Sequence, residues 1–138
     1  MTGTRVERVR TRRDLDIVLS WLGQGGLGGE GLFPSRPERL LSEPKVLLAL
    51  AWGREPQGFS RLDLGPGEAE FSLFVAPRHR RKGVGRLLLE WAKGEAGGRK
   101  VYSMVEEGNE RAQAFFRALG FRPFRSRAGG WIRWEEVS

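Results

Sequence analysis

Between Glu68 and Val75 the chain alternates, with Glu68, Glu70, Ser72 and Phe74 on one parity and Ala69, Phe71, Leu73 and Val75 on the other. A period of two is what a strand shows when its two faces meet different surroundings. Beyond Pro77 the period lengthens: Val84, Leu87, Leu88, Trp91 and Ala92 recur at helical spacing and predict an amphipathic helix. The same reading extends to both sides. Thr4–Arg10 alternates as a first strand, and Thr11 with Asp14 opens a helix whose apolar stripe is Leu15, Val18, Leu19 and Leu22. Ser35, Pro37 and Glu38 start a short helix that runs to Ser42. Lys45–Trp52 and Gly58–Asp63 read as strands about a turn, and Leu64–Gly67 turns the chain into the alternating strand. Lys100–Val105 is a further strand. Asn109 caps a helix with Ala112, Phe115, Phe116 and Leu119 on one face, and Gly120 stops it. Phe121–Arg127 and Trp131–Glu136 close as two strands around an Ala-Gly-Gly turn. The order β-α-α-β-β-β-α-β-α-β-β predicts an α/β chain with one mixed sheet and helices packed against it.

Composition narrows the chemistry. The 138 residues suit one domain over 1–138, and 39% hydrophobic residues supply a core. No apolar run approaches the roughly 18 residues needed to cross a bilayer, so no membrane partner is expected. The opening MTGTRVERVR lacks an apolar segment, which sets a cytoplasmic location as the expectation. Cysteine is absent and His79 is the one histidine, so disulfides, a thiol nucleophile and a metal site are not expected. The net charge of +7 implies an anionic partner. Nucleic acid is not the expected one, because the arginines accompany no recognition helix or aromatic platform motif. Gly23–Gly31 is rich in glycine but lacks the lysine of a phosphate loop, and reads as a surface loop.

The informative segment follows the alternating strand. Arg80-Arg-Lys-Gly-Val-Gly85 leads straight into a helix, whose N-terminus offers unpaired N–H groups and the positive end of its dipole. Glycines at 83 and 85 let an anion approach those groups, and Arg80, Arg81, Lys82 and Arg86 add cationic charge. The spacing differs from the dinucleotide fingerprint. It resembles the acyl-CoA signature Q/R-x-x-G-x-G/A of the GNAT N-acetyltransferase family. A second block, Val105-x-x-x-Asn109-x-x-Ala112-x-x-Phe115-Phe116-x-x-x-Gly120-Phe121, is similar to another stretch of that family at the same distance. Gly58-Phe59 also resembles its third strand.

The resemblance implies a GNAT fold, in which two parallel central strands, here Glu68–Val75 and Lys100–Val105, splay apart around the cofactor's pantetheine arm. It implies acetyl-CoA as co-substrate and a primary amine as acceptor. Leu73, Phe74 and Val75 would lie along the pantetheine, with backbone groups of Leu73 and Val75 pairing with it. The N–H groups of Arg81, Lys82, Gly83, Val84, Gly85 and Arg86 would hold the pyrophosphate, beside Arg80. Asn109, Phe115 and Phe116 would complete the cofactor site. The family's usual proton-donating tyrosine falls on Phe116, which the resemblance therefore leaves to pack against the thioester end. Tyr102 is the substitute candidate for the acid. Glu70, in mid-strand, is the candidate general base, with Glu106 after it. The missing phenol keeps a second reading open, an acyl-CoA-binding module with a sensing or scaffolding role. Acceptor specificity would reside in Gly23–Arg39, and a homodimer through the C-terminal strands is compatible with the family.

Overall fold

The computed structural model of the chain describes residues 3–21, 36–125 and 129–137. Leu22, the glycine-rich stretch Gly23–Gly31 read as a surface loop, Ser35 and the end of the strand predicted to reach Arg127 lie outside the described residues. Seven strands form one sheet: β1 (Arg5–Arg8), β2 (Val46–Trp52), β3 (Pro56–Leu64), β4 (Glu68–Val75), β5 (Lys100–Glu106), β6 (Phe121–Arg125) and β7 (Trp131–Glu136). Their order is β1-β2-β3-β4-β5-β7-β6. Every neighbouring pair is antiparallel except β4 and β5, which run parallel because the helix between them carries the chain back across the sheet. That helix is α2 (Val84–Glu95); the others are α1 (Arg12–Leu19) and α3 (Glu110–Ala118). The short helix predicted before Ser42 is a 3-10 turn over Pro37–Ser42. No helix among the described residues is long and apolar enough to cross a membrane.

Each side of the sheet buries its own core. Under α2 and α3 lie Leu62, Phe71, Leu73, Leu88, Ala92, Val101, Phe116 and Trp134. Under α1 and the 3-10 turn lie Leu15, Val18, Leu48, Leu50, Phe59 and Phe74. The alternation of β4 maps onto this division, Phe71 and Leu73 facing one core and Phe74 the other. One expectation for α2 changes. Its buried arc is Val84, Leu88, Leu89 and Ala92, while Leu87 is 37% exposed. The helix is rolled about one residue from the predicted stripe, so Leu89 takes the place expected of Leu87. Local signals otherwise act as their chemistry requires. Thr11 Oγ1 accepts from the Asp14 N–H at 3.1 Å, and Asn109 Oδ1 accepts from the Ala112 N–H at 3.1 Å, so both helices begin with a side-chain cap.

Candidate active site

The parallel pair is short. β4 and β5 are in register only at Glu68 with Lys100, Ala69 with Val101 and Glu70 with Tyr102. Beyond Glu70 the strands part, and the gap widens into a cleft of about 820 Å³ between the end of β4, the start of α2 and the inner face of α3. Leu73, Phe74 and Val75 form one wall, Gly83, Val84, Gly85 and Arg86 the second, and Asn109, Ala112 and Phe115 the third. Arg80, Arg81 and Arg111 also line it. Among the described residues no carboxylate and no phenol lines it.

The two glycines serve different needs. Gly83 caps α2 at φ +84°, a conformation that costs most side chains strain, and has open space around it. Arg81 also has positive φ, at +63°. Alternation of this kind turns backbone N–H groups inward, and with the uncapped first turn of α2 it makes a concavity for an anion. Gly85 is buried, and a Cβ there would stand 2.7 Å from Phe115 Cε1 and 3.2 Å from Leu73 Cδ1. Its absence of side chain lets α2 pack close against α3 and β4 at the cleft. Arg80 Nε donates to the Val75 carbonyl at 2.9 Å, and its guanidinium lies 5.7 Å from the Phe74 ring centroid. Burial first, then the charge of Arg111, draws its pKa below the ordinary guanidinium value.

Phe116 departs from its expected place. It has no exposed surface, and its ring meets Phe71, Phe115 and Phe121 at centroid separations of 6.4, 5.1 and 5.2 Å. It therefore supports the cleft from beneath instead of facing a thioester. Phe115, one residue earlier on α3, turns its ring toward the cleft. Lys82 is exposed and stands outside the lining. His79 also lines the cleft, with Nε2 3.3 Å from Glu55 Oε2, and Arg78 pairs with the same carboxylate. Those two partners, His79 first, hold the Glu55 pKa below the usual carboxylate range.

Glu70 and Tyr102 come together at the last paired rung, where the strands begin to part. The Tyr102 hydroxyl donates to Glu70 Oε1 at 3.3 Å. Burial, then the charges of Glu70 and Glu68, raises the phenol's pKa and keeps it protonated at neutral pH. Glu106 does not join them. It is exposed at the far end of β5, about 13 Å along the strand by rise alone. Two residues that sequence reasoning passed over complete the picture. Arg111 stands on the cleft's rim, and Arg133 stacks on Tyr102 with Cζ 3.7 Å from the ring centroid. The alternation of β7 separates Trp131, Arg133 and Glu135 from Ile132, Trp134 and Glu136, but only the pairing of Met104 with Arg133 brings the first set to this rung. Among the described residues no group of His, Asp and Glu is arranged to hold a metal ion.

One mixed sheet with a short parallel pair that parts, and a glycine-capped helix at its open end, define the class of domain. Residues 44–123 match the family described as the acetyltransferase (GNAT) domain. The chain belongs to the GNAT family of N-acetyltransferases. A mycothiol acetyltransferase of Clavibacter michiganensis subsp. michiganensis (strain NCPPB 382) is 30% identical over 122 residues, 85% of this chain. The chain spans 40% of the length of that relative. In fold it is similar to the GNAT domain of S. lividans PAT, with a TM-score of 0.76, 23% identity and coverage of 96% of this chain and 89% of that one. It is also similar to the PaiA N-acetyltransferase of Thermoplasma acidophilum in complex with coenzyme A. There the TM-score is 0.74 at 19% identity, covering 97% of this chain and 99% of that one.

Proposed function

We propose that the chain transfers an acetyl group from acetyl-CoA to a primary amine by direct attack. The observation that carries this reading is the cleft itself, which opens from a three-rung parallel pair onto the glycine-capped start of α2. Its groups fit coenzyme A. The N–H groups of Gly83 to Arg86 and the guanidinium groups of Arg80, Arg81 and Arg86 suit a pyrophosphate, and the edge of β4 at Leu73 and Val75 suits an amide-bearing arm. Acetyl-CoA supplies a thioester, an acyl group already activated for attack. The chain's own residues then bind, orient and move protons. Asn109 and Phe115 fix the third wall of the cleft. Glu70 takes the ammonium proton, directly or through water, and Tyr102 holds the proton that can pass to a leaving thiolate. Positioning of amine and thioester supplies most of the rate. The relative named mycothiol acetyltransferase makes the acceptor implied by that name one to try first.

One observation favours a second reading. Among the described residues no carboxylate or phenol lines the cleft, so a module that binds acyl-CoA without turnover fits the same walls. Release of free thiol from acetyl-CoA in the presence of an amine panel separates the two. Acceptor-dependent release supports the enzyme, and a thermal shift with acetyl-CoA but no release with any amine supports the module.

A further inference from the structure

The sheet face that carries Glu70 changes character along its width. Beneath α1 and the 3-10 turn it is apolar, through Leu48, Leu50, Phe59 and Phe74. Across the end of β3, the first halves of β4 and β5, and β7 it is charged. The register sets Asp63 opposite Glu70, Glu70 opposite Tyr102, and Tyr102 opposite Glu135, so these side chains share one face. Four carboxylates stand there, Asp63, Glu68, Glu70 and Glu135, with three cations, Arg61, Lys100 and Arg133. Arg61 pairs with Asp63 at 3.0 Å, Arg133 with Glu68 at 2.5 Å and with Glu135 at 3.1 Å, and Lys100 with Glu135 at 3.5 Å. Among the described residues Glu70 has no ion pair, and its one hydrogen bond comes from Tyr102. The chain's surplus of positive charge is thus reversed at this rung.

We propose that Arg133 is a positioning residue for the acceptor: stacked on Tyr102 and paired with Glu68 and Glu135, it leaves Glu70 as the single open carboxylate, a seat for the one ammonium group of a monocationic amine. This rests on the acetyltransfer reading above. The planar guanidinium is what the arrangement requires, because it lies flat on a ring while its edges reach two carboxylates. With Tyr102 on Oε1, Glu70 presents Oε2 to the incoming cation. An amine that is already neutralised by its own carboxylate gains less here than one carrying a lone positive charge.

Tyr102 is the chain's one tyrosine, so tyrosine labelled with ¹³C at Cζ gives a single resonance that reports on the rung. The probe is n-propylammonium chloride, with potassium chloride at equal ionic strength as the control. In the wild type the ammonium salt produces a saturable shift that potassium does not. Glu70→Gln abolishes it. Arg133→Met tightens it about tenfold, because Glu68 and Glu135 lose the cation that neutralises them and add to the attraction. The same variant moves the Tyr102 titration further up, because a cation that lowers it is gone. Arg133→Lys restores the titration more than the ammonium response, since charge returns without the stack. Wild-type behaviour of Arg133→Met in both readouts overturns the proposal, as does an undiminished response in Glu70→Gln. Acetyl transfer whose amine KM ignores Arg133→Met overturns it too and leaves the enzyme standing. An intact ammonium response with no acetyl transfer to any amine leaves the seat standing and overturns the enzyme.

Discussion

The cleft and the charged rung at its apex are assembled by different means. The cleft's first two walls come from one contiguous stretch, Leu73 to Arg86, and the groups it offers are mostly backbone: the edge of β4, the N–H groups of a helix start and two glycines. The rung draws Glu70, Tyr102 and Arg133 from three strands, and register is what brings them within reach of one another. A backbone site constrains conformation and close approach, so it demands glycines at fixed spacing. A side-chain site constrains only where strands meet, and many residue types can serve. The two regions therefore differ in how they fail, and that difference can be measured.

Glu70→Gln strikes the rung alone and carries the largest expected effect. It keeps size but removes basicity, so kcat should fall by about 10²–10⁴ while acetyl-CoA affinity stays unchanged. Glu106→Gln should do little, because that side chain stands exposed at the other end of β5. Steady-state kinetics beside calorimetric binding give both numbers, and a large effect at Glu106 with none at Glu70 would exchange their roles.

Gly83→Asp strikes the cleft alone. Asparagine and aspartate both tolerate positive φ, so Gly83→Asn controls for backbone strain and the pair differ by one charge. Against the asparagine variant, the aspartate should weaken acetyl-CoA about a hundredfold, or roughly 2.7 kcal/mol. Equal binding by the two would remove the anion from the start of α2.

Phe116→Tyr tests whether the floor of the cleft belongs to the core. A hydroxyl at a position without exposed surface has no water to bond, so stability should drop by about 1–3 kcal/mol in a denaturant titration. A gain in turnover without that loss would bring position 116 back to the thioester.

The smallest effect belongs to the rung's ion pair. Arg133 holds the Glu68 carboxyl below the usual carboxylate range, chiefly through their hydrogen bond. A depressed folded-state pKa adds stability above the unfolded value near ~4.3 and loses it as pH falls through that value toward the folded one. Glu68 is 43% exposed, so solvent screening limits the contribution to a few tenths of a kcal/mol, about the worth of a surface pair. The stability gap between wild type and Arg133→Met should be widest above about pH 5 and close on acidification or in high salt.

These contrasts also explain what could be read from the chain beforehand. Period two in Glu68–Val75 and the caps Thr11 and Asn109 act within a turn of themselves, so they show in a linear sequence. Arg80 to Gly85 is legible for the same reason. Phe115 and Phe116 both sit on an apolar arc of α3, and only packing against Phe71 and Phe121 decides which ring turns inward. Leu87 and Leu89 exchange places on the same grounds: the roll of α2 depends on what lies opposite. Arg133 was beyond reach, since nothing local sets Met104 opposite it.

The strand order carries a consequence for assembly. β7 lies between β5 and β6, although β6 precedes it in the chain. Until residues 131–136 slot into that gap, β5 has no neighbour on that side and β6 has none at all. The same event delivers Arg133 and Glu135. A chain folded only as far as β6 would hold Glu68 and Glu70 on one strand face without the arginine that separates their charges. Closure of this long-range pairing is thus also the moment at which the rung acquires its balance of charge.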